Sequence, residues 1–202
     1  MVFFFVPNII GYVRYLLVFS VLLTFRSHPY LTAFLYALSQ ALDYIDGYMA
    51  RKLNQCSNFG AVLDMVCDRV ADAVILAVLA ELYPSYSWFF LFTAILDITS
   101  HWFQMYSAVS EGEHHKESKT KWRVLELYYT NIVVFESLIA GNEIFYVTCY
   151  LNAFLKNSTV DPFWVGLNTV FLSLGFILFM WKNITNVFQL ISASEKIAEA
   201  DI

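Results

Sequence analysis

Residues 43–51 of this chain read DYIDGYMAR, and the segment after them adds Gly60, Asp64 and Asp68. Asp43 and Asp46 are spaced i and i+3, so they share one face of a predicted helix. Asp64 and Asp68 are spaced i and i+4 and share one face of the next helix. Two such faces turned toward each other would place four carboxylates around one small space. Oxygen ligands of this kind suit hard divalent cations such as Mg2+ or Mn2+.

The complete pattern is D-x2-D-G-x2-A-R-x8-G-x3-D-x3-D. A single carboxylate near a helix end is most often a solvated residue or a helix cap. Four at this spacing, with two glycines and an arginine, are much more specific. They also lie in segments that are otherwise apolar enough to enter a membrane, where an unpaired charge is costly. The pattern therefore indicates a functional site.

Composition places most of the chain in lipid. Of 202 residues, 59% are hydrophobic and only 14% are charged, whereas soluble domains carry about 25% charged residues. A spanning helix needs about 20 mainly apolar residues. We predict an all-α membrane protein whose six transmembrane helices lie at about 8–25, 30–51, 58–82, 87–108, 127–155 and 163–190. No linker or repeat divides the chain, so residues 1–202 form a single integral membrane domain.

Basic residues predict the orientation. With six spans, both termini and the second and fourth connections share one side, which carries Arg51, Lys52, Lys116, Lys119, Lys121, Arg123 and Lys196. The other side carries Arg26 and Lys156. Because cytoplasmic loops are enriched in Lys and Arg, we expect both termini and the four acids on the cytoplasmic side.

Other polar residues of the predicted spans are Arg14, Asp97, His101, Glu136, Asn142 and Glu143. Each is costly in lipid unless it faces the bundle interior or a partner. Asp97 and His101 are one helical turn apart, so they either bond each other or contribute to a site. Gly141 would allow close contact between helices.

The cysteines and the net charge exclude several classes of protein. Cys56, Cys67 and Cys149 are odd in number and lack C-x-x-C spacing, which argues against structural disulfides and a zinc site. A net charge of −5 on a membrane-embedded chain argues against nucleic-acid binding.

These motifs resemble those of the CDP-alcohol phosphotransferases, integral membrane enzymes built on a bundle of six transmembrane helices. Further segments are similar to the eukaryotic phosphatidylinositol synthases of that family: VPNIIGY (6–12), LDM (63–65), DITSHW (97–102), YYT (128–130) and AGNE (140–143). The resemblance implies transfer of a phosphatidyl group from CDP-diacylglycerol to myo-inositol with release of CMP. It also implies an endoplasmic reticulum membrane and, since the family often dimerises, a homodimer.

The resemblance also assigns roles by position. It implies that two divalent cations, Mg2+ or Mn2+, are held by Asp43, Asp46, Asp64 and Asp68, and that Asp68 accepts the proton of the incoming alcohol. Gly47, Arg51 and Ser57 would bind the CDP part of the lipid. The chemistry suits these roles, because glycine permits close approach of a nucleotide and an arginine can pair a diphosphate with two hydrogen bonds.

One position departs from the resemblance, and alternatives follow from it. The inositol-using group commonly has an arginine two positions after Tyr-Tyr-Thr, where this chain has Ile132. The inositol-binding residues therefore stay unassigned, and glycerol 3-phosphate or serine is an alternative acceptor.

A divalent-cation transporter or channel is an alternative from a different class of protein, but transporters more often show repeated halves with broken helices. A non-catalytic scaffold would not need Gly47, Arg51 and Gly60 at these spacings.

Overall fold

Seven α-helices form the computed structural model, which describes residues 1–110, 121–155 and 160–200. They are α1 (Val6–Thr24), α2 (Pro29–Lys52), α3 (Asn58–Leu82), α4 (Ser87–Ser110), α5 (Arg123–Thr130), α6 (Ile132–Leu155) and α7 (Pro162–Ala200). Short 3-10 turns at Val2–Phe4 and Pro84–Tyr86 precede α1 and α4. No β-strand occurs in these ranges, so the prediction of an all-α protein is confirmed.

Three of the described helices, α1, α6 and α7, are long and apolar enough to cross a membrane. Large apolar side chains also face outward around the bundle, among them Leu16, Leu23, Trp88, Phe92, Ile95 and Val133. Both observations indicate a membrane protein. The predicted acids, in contrast, lie on α2 and α3, and a total of six crossings stays a prediction.

The structure differs from the sequence prediction at the segment 127–155, which is not one helix. The backbone of Asn131 is extended, with φ −105° and ψ 101°, and separates α5 from α6. Its Oδ1 accepts hydrogen bonds from the backbone N–H groups of Val133 at 3.0 Å and Val134 at 3.2 Å. Asn131 is therefore the N-cap of α6, a position that asparagine favours because its side chain satisfies free backbone donors.

The last helix is longer than the predicted span of 163–190, since α7 continues to Ala200. At ~1.5 Å per residue its 39 residues extend over roughly 58 Å, about twice the thickness of the hydrocarbon core. The polar end 194–200 contains Glu, Lys and Ala, which are good helix formers. The helix therefore extends beyond its apolar portion.

Two glycines allow α6 and α7 to pack at close range. A Cβ atom on Gly175 would lie 2.9 Å from the backbone nitrogen of Phe145, and one on Gly141 would lie 2.3 Å from Cβ of Leu178. The close contact expected at Gly141 is therefore present. Phe145 and Phe179 stack beside it at a ring-centroid distance of 4.3 Å.

The order of packing decides where the acids lie. Helix α1 packs along α2 and also against α3, so the polar faces of these three helices meet. On the other side of α3, helices α4, α7 and α6 pack in succession. This arrangement leaves polar space on both sides of the acids.

Candidate active site

The four predicted acids converge, and we call them the acid cluster: Asp43 and Asp46 of α2, and Asp64 and Asp68 of α3. Asp43, Asp64 and Asp68 each offer an oxygen atom within 4.8 Å of the others. Asp46 is buried at 6% exposure beside them. The four carboxylates, which their spacing places on one face of each helix, therefore lie close together.

An arginine of α1 lies inside the acid cluster. Nη1 of Arg14 is 2.6 Å from Asp43 Oδ1, 3.0 Å from Asp46 Oδ2 and 2.9 Å from Asp64 Oδ1. Its Nη2 is 2.5 Å from Asp68 Oδ1. The sequence shows only that an arginine in an apolar span needs a partner; it does not identify the acid cluster as that partner.

The geometry around Nη1 supports a cation site. An Nη1 group carries two hydrogens, yet carboxylate oxygens of three residues lie within 3.0 Å of it. At least one of these contacts is therefore charge attraction without its own hydrogen bond. Several carboxylate oxygens converging on one point form a donor set that suits Mg2+ or Mn2+, and the residues present fit such ions.

A cavity of about 160 Å3, here called the small cavity, lies between α1, α2 and α3. Its lining includes the predicted nucleotide contacts Gly47, Arg51 and Ser57, together with Asp46 and Asp64. The α3 helix begins at the edge of this cavity, and a helix N-terminus favours anions through its free N–H groups. The structure thus places all three predicted contacts in one pocket beside the acid cluster.

Two residues of the small cavity also have structural roles. The Oγ atom of Ser57 accepts a hydrogen bond from the Gly60 N–H at 3.0 Å and so caps α3. A Cβ atom on Gly60 would lie 2.9 Å from Asn8 Oδ1. Gly60 therefore permits α3 to approach α1.

A second cavity of about 530 Å3, here called the large chamber, lies on the other side of the acid cluster. Helices α2 to α7 all contribute to its lining. Asp43 and Asp68 line the large chamber, and Asp46 lines the small cavity. Asp64 lines both cavities, and no other residue is common to the two linings.

A buried ionic network organises the large chamber. Arg69 Nη1 is 3.1 Å from Asp72 Oδ2 and also donates a hydrogen bond to Asp97 Oδ2. Asp97 Oδ1 accepts a hydrogen bond from Asn186 at 3.3 Å, and Asn186 Oδ1 accepts one from the buried amine of Lys182. This network joins α3, α4 and α7, so the residues that form it are far apart in the sequence.

Five of the six polar positions noted in the predicted spans line the large chamber: Asp97, His101, Glu136, Asn142 and Glu143. His101 Nδ1 is 2.8 Å from the backbone oxygen of Asp97 and 3.4 Å from its carboxylate, so these two residues do contact each other. Glu143 Oε2 accepts hydrogen bonds from Tyr36 at 2.7 Å and Gln40 at 2.9 Å. Ile132, in contrast, is 66% exposed at the start of α6 and does not line the chamber.

The cysteines take no part in a metal or disulfide site. All three are free; Cys56 is exposed, and Cys67 and Cys149 are buried.

Comparison with known proteins assigns this arrangement to a family. The family model of the CDP-alcohol phosphatidyltransferases matches residues 4–197. The chain belongs to this family. Its relatives include proteins named CDP-diacylglycerol–inositol 3-phosphatidyltransferase from Candida albicans, Saccharomyces cerevisiae and Homo sapiens, which are 38%, 39% and 38% identical to it. The alignments cover 99% of this chain and 84%, 89% and 94% of those proteins. No solved structure shows significant similarity to the chain.

Membership of the CDP-alcohol phosphatidyltransferases agrees with the geometry of the acid cluster. The family generally uses divalent metals, and the convergent oxygens of Asp43, Asp64 and Asp68 are able to hold one. The network around Arg69, Asp72 and Lys182 was not identified as a site from the sequence. The sequence does show these charged residues within apolar helices, but which residues they pair with depends on tertiary packing.

Proposed function

We propose that the protein is a phosphatidylinositol synthase, which transfers the phosphatidyl group of CDP-diacylglycerol to myo-inositol and releases CMP. Family membership supports the transfer chemistry. The names of relatives that align with nearly the whole chain support the donor lipid and the acceptor. The same findings favour a transferase over the transporter or channel considered from the sequence.

The observation that carries the proposal is the meeting of two separate cavities at Asp64. A transferase must hold a donor and an acceptor on either side of the phosphorus that changes partner. The small cavity has the glycines, the arginine and the helix N-terminus that suit a nucleotide diphosphate. The large chamber has the buried polar groups that suit a polyol.

The chain's own residues account for the steps. Arg51 and the N-terminus of α3 hold the diphosphate of the donor, and Gly47 leaves room for the nucleotide. A hydroxyl of the acceptor lies in the large chamber within reach of Asp68. As its oxygen forms a bond to the phosphorus that carries diacylglycerol, its proton passes to the Asp68 carboxylate and the bond from that phosphorus to the oxygen of CMP breaks. Two divalent cations held by the acid cluster would neutralise charge on the diphosphate.

The charge of the large chamber favours a neutral acceptor. Seven acidic side chains line it, namely Asp43, Asp64, Asp68, Asp72, Asp97, Glu136 and Glu143, against the two basic residues Arg69 and Lys182. Both basic residues already have partners in the network described above. If the cations of the acid cluster are engaged by the donor diphosphate, the described lining offers glycerol 3-phosphate no unpaired Lys or Arg for its two negative charges, whereas myo-inositol brings only hydroxyl groups.

Membrane topology follows from the same proposal. We propose that α2, α3 and α4 also cross the bilayer with their charged residues turned toward the acid cluster and the large chamber. Both termini and the α2–α3 connection then lie in the cytoplasm, and the membrane is that of the endoplasmic reticulum. Lys116, Lys119 and Lys156, which contribute to this orientation, lie outside the described residues. A homodimer rests on the family resemblance.

An acceptor assay with the purified protein tests the proposal. The protein in phospholipid vesicles is given CDP-diacylglycerol, Mn2+ and one of three labelled acceptors: myo-inositol, serine or glycerol 3-phosphate. We expect label in lipid with inositol, CMP release in equal amount, and loss of both in excess chelator until Mg2+ or Mn2+ is restored. Equal or faster transfer to serine or glycerol 3-phosphate would contradict the proposal that inositol is the preferred acceptor. Full turnover in excess chelator would contradict the cation requirement.

A further inference from the structure

Arg14 is a buried cation at the point where the acids converge. Its side chain is 1% exposed, and its guanidinium contacts Asp43, Asp46, Asp64 and Asp68 at 2.5–3.0 Å. Four carboxylates this close together repel one another, although only Asp46 is buried and the other three are partly exposed. One guanidinium offsets part of that repulsion, so Arg14 stabilises the acid cluster electrostatically.

The position of Arg14 conflicts with a divalent cation at the same place. A Mg2+ ion coordinated by Asp43 and Asp64 needs their oxygens at about 2.0–2.1 Å. Oxygens of the same two residues are now in contact with Nη1. The ion would therefore compete with Arg14 for the same carboxylates and would bring two positive charges next to a third.

The surroundings of Arg14 give its guanidinium little to hold it once those oxygens are taken. Its Nε is buried and has no hydrogen-bond partner among the described residues. Among the described residues, the ion-pair partners of its side chain are the four carboxylates of the acid cluster. Arg14 is thus attached to the site almost entirely through the predicted metal ligands.

We propose that Arg14 and the divalent cation compete for the acid cluster, so that Arg14 acts as an internal counter-cation and withdraws when the metal binds. Arg14 is then a positioning residue, because it keeps Asp43, Asp46, Asp64 and Asp68 together until a metal takes over their charge. The inference concerns the cation site and does not depend on which alcohol is the acceptor.

The first test measures metal binding without turnover. Mn2+ is titrated into the detergent-purified protein, and free Mn2+ is followed by its electron paramagnetic resonance signal. Arg14→Met should bind Mn2+ about tenfold or more tightly than the unaltered protein, because a competing charge is gone. Arg14→Lys, which keeps a cation but makes fewer contacts, should fall between the two. Arg26→Met is the matched control, since Arg26 is exposed and pairs with Glu81 away from the acid cluster.

The second test separates competition from a purely structural role. Thermal unfolding of Arg14→Met should occur at a clearly lower temperature than that of the unaltered protein in chelator, and at nearly the same temperature in saturating Mn2+. Asp43→Asn should lose most of the Mn2+ signal change and so assigns the signal to the acid cluster.

Two results would overturn the proposal. Equal or weaker Mn2+ binding by Arg14→Met would show that Arg14 assists the metal instead of competing with it. An equal loss of thermal stability with and without Mn2+ would assign Arg14 a structural role alone. If Arg14→Met fails to accumulate even when purified in Mn2+, Arg14→Lys decides the matter: tighter binding than the unaltered protein supports competition, and equal or weaker binding excludes it.

Discussion

Within the acid cluster, the four aspartates face different spaces. Asp46 lines the small cavity, Asp43 and Asp68 line the large chamber, and Asp64 lines both. A base for the acceptor must be within hydrogen-bond reach of the acceptor hydroxyl. Asp68 lines the large chamber, which is the proposed acceptor side, as its proposed role requires.

Asp68→Asn should therefore separate binding from turnover. The change keeps an oxygen ligand but removes the proton acceptor, so we expect turnover to fall by about 10^2–10^4-fold while CDP-diacylglycerol still binds. Asp43→Asn should also weaken the metal-dependent binding of the donor lipid. Turnover and donor affinity are measured for both variants across a Mn2+ titration. Full recovery of Asp68→Asn in excess metal would show that Asp68 is merely a ligand.

Lys182 provides a test of the acceptor site. Its amine is buried, donates to Asn186 and lies 5.6 Å from the ring centroid of Tyr128 in the large chamber. Lys182→Met keeps an unbranched side chain that is one heavy atom shorter, and it removes the charge and hydrogen bonds of the amine. Hydrogen bonds to charged groups contribute about 1.5–3 kcal/mol, so we expect KM for inositol to rise by roughly 10- to 150-fold with KM for CDP-diacylglycerol unchanged.

Lys121→Met is the matched control for that change, because Lys121 is an exposed lysine that pairs with Glu199. It should leave both KM values unaltered. An equal rise in the two KM values for Lys182→Met, or a variant that unfolds at assay temperature, would indicate a general structural role for Lys182.

At the scale of helices, local patterns predicted most of the structure. The predicted spans 30–51 and 163–190 begin within one residue of the observed first residues of α2 and α7. The break at Asn131 was missed, because apolar residues follow it and the cap depends on a side-chain rotamer that composition does not show. The Arg69–Asp97–Asn186 network was missed because it joins three helices through tertiary packing.

The α6–α7 contact makes a prediction about stability. In Gly175→Ala the new methyl group would approach the Phe145 backbone at 2.9 Å, and a backbone atom cannot move aside as easily as a side chain. Overpacking of this kind costs about 1–3 kcal/mol, so we expect a lower midpoint of thermal unfolding in detergent. Gly166→Ala is the control, because beyond its own helical turn no atom of the described residues lies within 4 Å of the added Cβ. A stable Gly175→Ala would mean that α6 and α7 adjust freely.

At the scale of the whole molecule, the acid cluster was predictable and its setting was not. The acids belong to two neighbouring helices whose phases are readable from spacing alone. The small cavity also depends on α1, and the large chamber depends on six helices. The same holds for Arg14. The sequence indicates that an arginine in an apolar span needs a partner, but which residue is that partner depends on how α1 packs.

Topology can be tested with a natural cysteine. Cys56 is exposed between α2 and α3, whereas Cys67 and Cys149 are buried. With six crossings and cytoplasmic termini, a maleimide that cannot cross membranes should label Cys56 in sealed microsomes whose cytoplasmic face is outward. Cys56→Ser should abolish the label. Labelling of Cys56 only after detergent is added would place this residue on the opposite side of the membrane and contradict the proposed orientation.

The junction of the two cavities at Asp64 also has a stereochemical consequence. In the proposed reaction the acceptor reaches the phosphorus from the large chamber, while CMP departs into the small cavity on the other side of the acid cluster. A single displacement, with entry and departure on opposite sides, inverts the configuration at phosphorus once in every turnover. A donor lipid made chiral at that atom with oxygen isotopes would therefore yield product of the opposite hand.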